Sequence, residues 1–324
     1  MSDSAQKRIL LVGAGNMGKN HARVVSGSPD ARLAVIVDPR EAVGRAEAER
    51  FGATWAPELP DLANIDGVIV AAATEAHYGL AMQVIASGTP LLIEKPVADS
   101  LLRTREILDA ADAADLPMMC GLLERFNPAV LTAMALIEAP HHITATRHSP
   151  YAPRIKTGVS WDLLVHDVDL AISIMGRAPS DVQARLGFFH PDSESSAEDV
   201  AEALLDFDGR GLAQISASRI GHRKIRELKV YDHDKLVEID LLRKDVTLYR
   251  HVSENSVDEG RGYRQQTVIE IPQLVTSQEP LTSQFDLFLK LIDGTADAAA
   301  QRATILPSHE VIDRVISTRV ATVL

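Results

Sequence analysis

A glycine triplet directly behind a short apolar run constrains this chain most. Ile9–Val12 reads as a buried strand, and Gly13-Ala14-Gly15-Asn16-Met17-Gly18 follows it at once. In such a turn the first glycine permits the tight bend. The second leaves room for a group close to the backbone, and the third lets the following helix pack tightly on the strand. The alternation then continues. Leu33–Val37 is a second apolar run ending at Asp38-Pro39, and Ala42–Arg50 reads as a helix. Gly67–Ala73 is a third strand, His77–Ser87 a helix stopped by Gly88, and Leu91–Ile93 a fourth strand ending in Glu94-Lys95-Pro96. Ser100 caps a helix to about Asp115, and Met118–Leu122 is a fifth strand. Strands apolar on both faces, alternating with helices at this spacing, predict a doubly wound parallel sheet.

The pattern changes after residue 123. Trp161–Gly176 reads as one amphipathic helix. Val182–Phe189, Ala201–Phe207, Leu212–Ser218, Arg226–Tyr231, Leu236–Leu241, Val246–His251 and Thr267–Ile271 alternate polar and apolar residues. Period-two strands joined by turns such as Asp208-Gly209 predict a large, mostly antiparallel sheet, one face of it packed on the Trp161–Gly176 helix. Ser283–Asp293 and Pro307–Leu324 read as helices. With 324 residues, two α/β domains are expected, 1–123 and 124–324.

Charge and cysteine usage exclude several classes. The net charge is −12, which repels phosphate backbones and anionic lipids, so neither nucleic acid nor membrane is the expected partner. No apolar stretch is long enough to span a bilayer. Met1–Arg8 is polar and lacks the pattern of a leader peptide, and a cytoplasmic location is expected. The single cysteine, Cys120, lies in the apolar run Met118–Leu123 and reads as a buried hydrophobe. It allows neither an internal disulfide nor a cysteine-rich zinc site.

The glycine turn gains meaning from Asp38, twenty residues beyond Gly18 at the end of the second strand. A carboxylate there can accept hydrogen bonds from both adenosine ribose hydroxyls and repels a 2′-phosphate. The helix N-terminus offers N–H groups and partial positive charge to a pyrophosphate. Gly13, Gly15, Asn16, Met17, Gly18 and Asp38 are therefore the expected cofactor contacts, with NAD favoured over NADP and Arg40 as the one residue arguing the other way. A bare glycine turn without ligand is the alternative.

Three further groups could carry chemistry. Lys95 ends the fourth strand, where ligands of doubly wound sheets bind, and Pro96 biases it toward extended geometry. Beside a nicotinamide, a partly desolvated lysine can share in proton transfer. Composition alone makes it a surface lysine. Asp162 and His166 stand four apart on the amphipathic helix, with Asp169 three further on. A carboxylate near an imidazole gives an acid–base group poised near neutral pH, and an inert helix salt bridge is the competing reading. No further ligand cluster accompanies the pair, so no metal is expected. Arg125, Asn127, Arg147, Tyr151 and Arg154 form a polar, cationic group hinting at an anionic substrate, with a solvated basic loop nearly as plausible.

Gly13–Gly18 with His21, Glu94-Lys95-Pro96, and Asp162 with His166-Asp167 stand in an order and spacing that resembles the Gfo/Idh/MocA family of oxidoreductases. Thr74, His77 and Gly88 before the Lys-Pro step strengthen the likeness, which covers essentially the whole chain. The resemblance implies a Rossmann domain and a C-terminal α/β domain whose large antiparallel sheet serves in homodimers or homotetramers. It implies that Lys95, Asp162 and His166 are catalytic, and that Thr74, His77, Glu94 and Lys95 lie at the nicotinamide end. The stretches Glu124–Val130 and Pro150–Asp169 look most like members acting on nucleotide sugars, such as UDP-N-acetylglucosamine 3-dehydrogenases. Trp161 before Asp162 is unusually large for that position. The expected activity is NAD-dependent oxidation of a secondary alcohol on a sugar, nucleotide sugar or cyclitol. His166 is the first choice as base, with Asp162 orienting it and Lys95 steadying the reacting oxygen, although Lys95 and His166 could exchange roles. A catalytically silent NAD-binding regulator and an NADP-linked reductase are the alternatives, and retention of all three residues argues against the regulator.

Overall fold

The computed structural model describes residues 6–153, 155, 157–193, 197–255 and 263–318. They divide into two compact units.

The first unit opens with β1 (Lys7–Val12), α1 (Asn16–Gly27), β2 (Ala31–Val37), α2 (Glu41–Phe51), β3 (Thr54–Ala56), β4 (Gly67–Val70), α3 (Thr74–Ala86), β5 (Leu91–Ile93), α4 (Leu101–Ala113) and β6 (Met118–Cys120). The six strands form one parallel sheet in the order β3-β2-β1-β4-β5-β6. Ile9, Leu10, Ile36, Ile69, Leu91, Leu92 and Ile93 are fully buried. Each such side chain stabilises the fold by roughly 1.5–3 kcal/mol relative to an exposed one. This is the doubly wound sheet expected from the apolar runs. β3, a three-residue edge strand, was not expected, because Thr54-Trp55-Ala56 is too short to show a period. The expected third strand stops at Val70, and Ala71–Ala73 instead turn into α3.

The second unit begins at Glu124, within a 3₁₀ turn at Leu123–Phe126. It holds α5 (Pro128–Met134), β7 (His142–His148), a π-helical turn Ser160–Leu164, α6 (Val165–Met175), β8 (Asp181–Gly187), β9 (Val200–Asp206), β10 (Leu212–Ser218), β11 (Ile225–Tyr231), β12 (Lys235–Asp240), β13 (Asp245–Asn255) and β14 (Tyr263–Glu270). The eight strands run in the order β14-β13-β12-β11-β7-β10-β9-β8 and are antiparallel except for the β7–β10 pair. Burial alternates along β7, β8 and β9, as the period-two pattern requires. The inward face, with Ala201, Ala203, Leu205, Ala213, Ile215 and Ala217, packs beneath α6 and the π-helical turn. The outward face carries Leu204, Leu212 and Tyr231.

The chain then returns to the first unit, which includes residues 279–309. α7 (Pro280–Ile292) buries Phe285 and Phe288, and a Cβ added at Gly67 would meet Phe288 and Ile292. α8 (Ala298–Ala303) carries Arg302, whose guanidinium donates to Asp112, Asp115 and the carbonyl of Leu116 at the end of α4. α9 (Leu306–Ser317) begins in the first unit and ends in the second, which resumes at Glu310. Of the expected helix Pro307–Leu324, residues 319–324 lie outside the described ones.

Candidate functional site

The first unit presents a cavity of about 760 Å³ at the carboxyl ends of its central strands. Its wall includes Gly13, Gly15, Asn16, Met17, Asp38, Arg40, Ala71–Ala73 and Leu80. Gly13 takes φ +97°, and a Cβ there would lie 2.5 Å from the Ala71 carbonyl oxygen. A Cβ on Gly18 would lie 1.8 Å from the Gly13 carbonyl oxygen, so α1 can approach the turn only with glycine there. Gly15 is different. It is the N-cap of α1, and a Cβ on it would meet no protein atom within 4 Å. Its missing side chain is not needed for packing and leaves the cavity open, as a cradle for a pyrophosphate requires. No side chain caps α1 and no acidic residue stands in its first turn, so the helix end is suited to an anion. The residues present therefore fit an NAD molecule.

Asp38 is buried, and its carboxylate is crowded. Oδ2 accepts from Ala14 N at 2.8 Å and Arg40 Nη2 at 2.7 Å, while Oδ1 accepts from Arg40 N and Nε, each at 2.9 Å. The Arg40 hydrogen bonds, with the Ala14 amide, hold its pKa down at about 2 against the opposing pull of burial, so it is ionised at neutral pH. Four donors occupy the roughly four acceptor positions of a carboxylate. The arginine that stands beside Asp38 in sequence thus closes over it, on a largely exposed side chain.

Of the residues expected at the nicotinamide end, Thr74, His77, Glu94 and Lys95 lie outside the cavity wall. His77 is buried, with Nδ1 2.9 Å from the Pro96 carbonyl oxygen and Nε2 3.2 Å from that of Ala72. Glu94 is buried against His21, 2.7 Å between Oε1 and Nε2. A Cβ on Gly121 would strike the Glu94 carboxylate. His77 and Glu94 thus brace the segment that carries Lys95, and Lys95 itself is half-buried just beyond β5. Thr74 opens α3.

In the second unit the expected single helix is interrupted. Asp162 lies in the π-helical turn and His166 in the first turn of α6. The wider turn takes the two out of α-helical register. Asp162 Oδ2 accepts from Arg219 Nη2 at 2.8 Å. Asp169, expected as a possible partner of His166, instead takes a two-pronged hydrogen bond from Arg125. Asp167 does the same with Arg147, which also donates to Glu124 at 2.8 Å. Burial works against the Arg147 charge, but Asp167 and Glu124 outweigh it and raise its pKa.

These pairings correct the expected substrate cluster. Arg147 is 2% exposed and its donors are committed to carboxylates, because an unpaired guanidinium in that interior would be too costly. Asn127 is 3% exposed and caps α5, with its amide nitrogen donating to Glu124 and to the Leu241 carbonyl. Both are structural. Tyr151 stacks on His190 and donates its hydroxyl to the Asp192 carbonyl. Arg154 lies outside the described residues. Arg219 and Glu198, which flank the π-helical turn, were missed, since neither belongs to a local motif.

Comparison with known proteins bears on the family and the fold. Residues 7–122 match the Gfo/Idh/MocA model described as an oxidoreductase family with an NAD-binding Rossmann fold, and residues 132–232 match the C-terminal domain of the same family. The chain is 25% identical to UDP-N-acetylglucosamine 3-dehydrogenase of Acidithiobacillus ferrooxidans, over 88% of each protein. It is 30% identical to inositol 2-dehydrogenase of Rhizobium meliloti, over 55% of this chain and 57% of that one. A solved structure of the Acidithiobacillus enzyme superposes with a TM-score of 0.81 at 23% identity, covering 97% of this chain and 99% of the other.

Proposed function

The chain belongs to the Gfo/Idh/MocA family of NAD-binding oxidoreductases, and on that premise we propose that it is a dehydrogenase of secondary alcohols on sugars, nucleotide sugars or cyclitols. The observation that carries the reading is the open cradle at Gly15 beside an ionised Asp38. Gly13–Gly18 hold the pyrophosphate and Asp38 the adenosine ribose. Because Arg40 fills the Asp38 acceptor positions, ribose binding displaces its guanidinium. NAD, when bound, supplies the hydride acceptor or donor.

The chain's own residues handle the proton. We assign His166 as the base for the hydroxyl proton, Asp162 as the carboxylate that tunes it, and Lys95 as the donor that stabilises charge on the reacting oxygen. His77 and Glu94 act on Lys95 from behind, by fixing the backbone on either side of it. The names of the relatives favour a UDP-hexosamine or an inositol as substrate. Arg125 and Arg147 are neutralised by Asp169 and Asp167, so they add no net pull on a diphosphate. A second copy against the outward sheet face, with Leu204, Leu212 and Tyr231, and a cytoplasmic setting complete the proposal.

The test is NADH absorbance across a panel of UDP-sugars, hexoses and inositols. A signal with one class supports the reading and names the substrate. Tight NAD binding without oxidation of any of them overturns it in favour of a binding protein.

A further inference from the structure

Asp162 sits in a wide helical turn that two buried charged residues grip from outside. On one side Glu198, 3% exposed, accepts from the Ser160 amide at 2.8 Å, and its own carbonyl accepts from the Val159 amide. A Cβ on Gly158 would stand 2.2 Å from that carboxylate, so only glycine lets Glu198 reach the turn. On the other side stands Arg219, also 3% exposed, directly after β10. Its backbone amide donates to the Asp199 carbonyl at 2.7 Å, its Nη1 to the Thr157 carbonyl at 2.8 Å, and its Nη2 to Asp162 Oδ2. The guanidinium is therefore anchored at its root and along one edge, and presents the remaining edge to a carboxylate that is itself 26% exposed.

A buried arginine serving a partly exposed carboxylate is costly as a device for stability alone. It is well suited to holding that carboxylate at one angle. π-helical turns are themselves concentrated at functional sites. Among the other charged groups bearing on Asp162 are Arg226, whose pKa burial and the neighbouring Arg147 lower against the opposing pull of nearby carboxylates, His166 on the next turn, and Glu198 across the turn.

We propose that Arg219 is the positioning residue for Asp162. It fixes the orientation of the carboxylate on the π-helical turn and so governs turnover through Asp162. The inference rests on the dehydrogenase reading and extends it to the residue that sets the working state of its acid–base group.

The experiment is a double-mutant cycle with Arg219→Gln, Asp162→Asn and the pair combined, plus Arg219→Lys. It uses the alcohol that the panel identifies, with kcat and KM measured separately and NAD affinity followed by fluorescence titration. Arg219→Gln is expected to lower kcat by about tenfold or more. NAD affinity should stay near that of the unaltered protein, and Arg219→Lys should recover part of the loss in kcat. The double variant should be no slower than Asp162→Asn alone, because both changes remove one unit. Full kcat in Arg219→Gln beside a crippled Asp162→Asn overturns the inference and leaves the dehydrogenase reading standing, as do losses that simply multiply. If Arg219→Gln fails to fold, Arg219→Lys decides: lowered kcat at unchanged NAD affinity supports the inference, and full kcat overturns it. Full turnover in Asp162→Asn removes Asp162 from the mechanism and the inference with it.

Discussion

At Asp38, four donors meet four acceptor positions, so a ribose hydroxyl can bind only by competing with Arg40. Asp38→Ala is expected to weaken NAD binding by about tenfold or more, as loss of a charged hydrogen-bonding partner does. Arg40→Ala should sharpen the preference for NAD over NADP, because it removes a cation of the cavity wall, beside Asp38, able to meet a 2′-phosphate. Parallel titrations with the two cofactors check both, and an unchanged ratio in Arg40→Ala contradicts the second. The pair also has an acid signature. The folded-state pKa of Asp38 is depressed, so its contribution to stability is complete above an unfolded value near ~4 and is lost as pH falls toward about 2. Arg40→Ala should flatten that part of an acid unfolding curve. The glycines, Asp38, Lys95, Asp162 and His166 stand out in the sequence as candidates because each is at a fixed offset from a strand or from its partner. Arg147 was misread as substrate-facing because the carboxylate that neutralises it stands twenty positions further on. Arg219 was invisible because it reaches Asp162 across fifty-seven positions with no repeating pattern between them.

The elements show the same division. The parallel strands other than β3 are readable because their apolar runs have no other use, and β8 to β14 because polar and apolar residues alternate along them, whereas β7 goes unread. The π-helical turn was not readable. Ser160–Leu164 carries the same amphipathic spacing as the helix that follows, and the side chains that hold the turn, Glu198 and Arg219, lie outside it. Gly158→Ala should therefore do more harm than its loop position suggests, since the new methyl meets the Glu198 carboxylate. A loss of about 1–3 kcal/mol is expected, typical of forcing an extra carbon into a packed site. Denaturant unfolding measures it, and an unchanged midpoint would mean that Glu198 can yield without releasing the turn.

At the scale of the whole molecule, the chain crosses between its two units three times, and the segment 279–309 belongs with the first. The composition change near residue 123 marked only the first crossing, because α7 and α8 have ordinary helical patterns that do not reveal which core they cover. Arg302 ties α8 to the end of α4 with three donor groups, one of them on the Leu116 carbonyl. Arg302→Ala should cost about 1–3 kcal/mol of unfolding free energy, mostly from that carbonyl, as the two carboxylates it leaves are exposed. For the molecule's chemistry, the deciding measurement is isotopic. The alcohol that the panel identifies is prepared with deuterium on its carbinol carbon and turned over with NAD, and the reduced cofactor is analysed by mass spectrometry. The account predicts that the deuterium arrives on the nicotinamide ring as deuteride, and that Lys95→Ala slows the transfer by about a hundredfold while NAD still binds. Reduced cofactor that carries only protium, or a Lys95→Ala protein that transfers at the original rate, would contradict it.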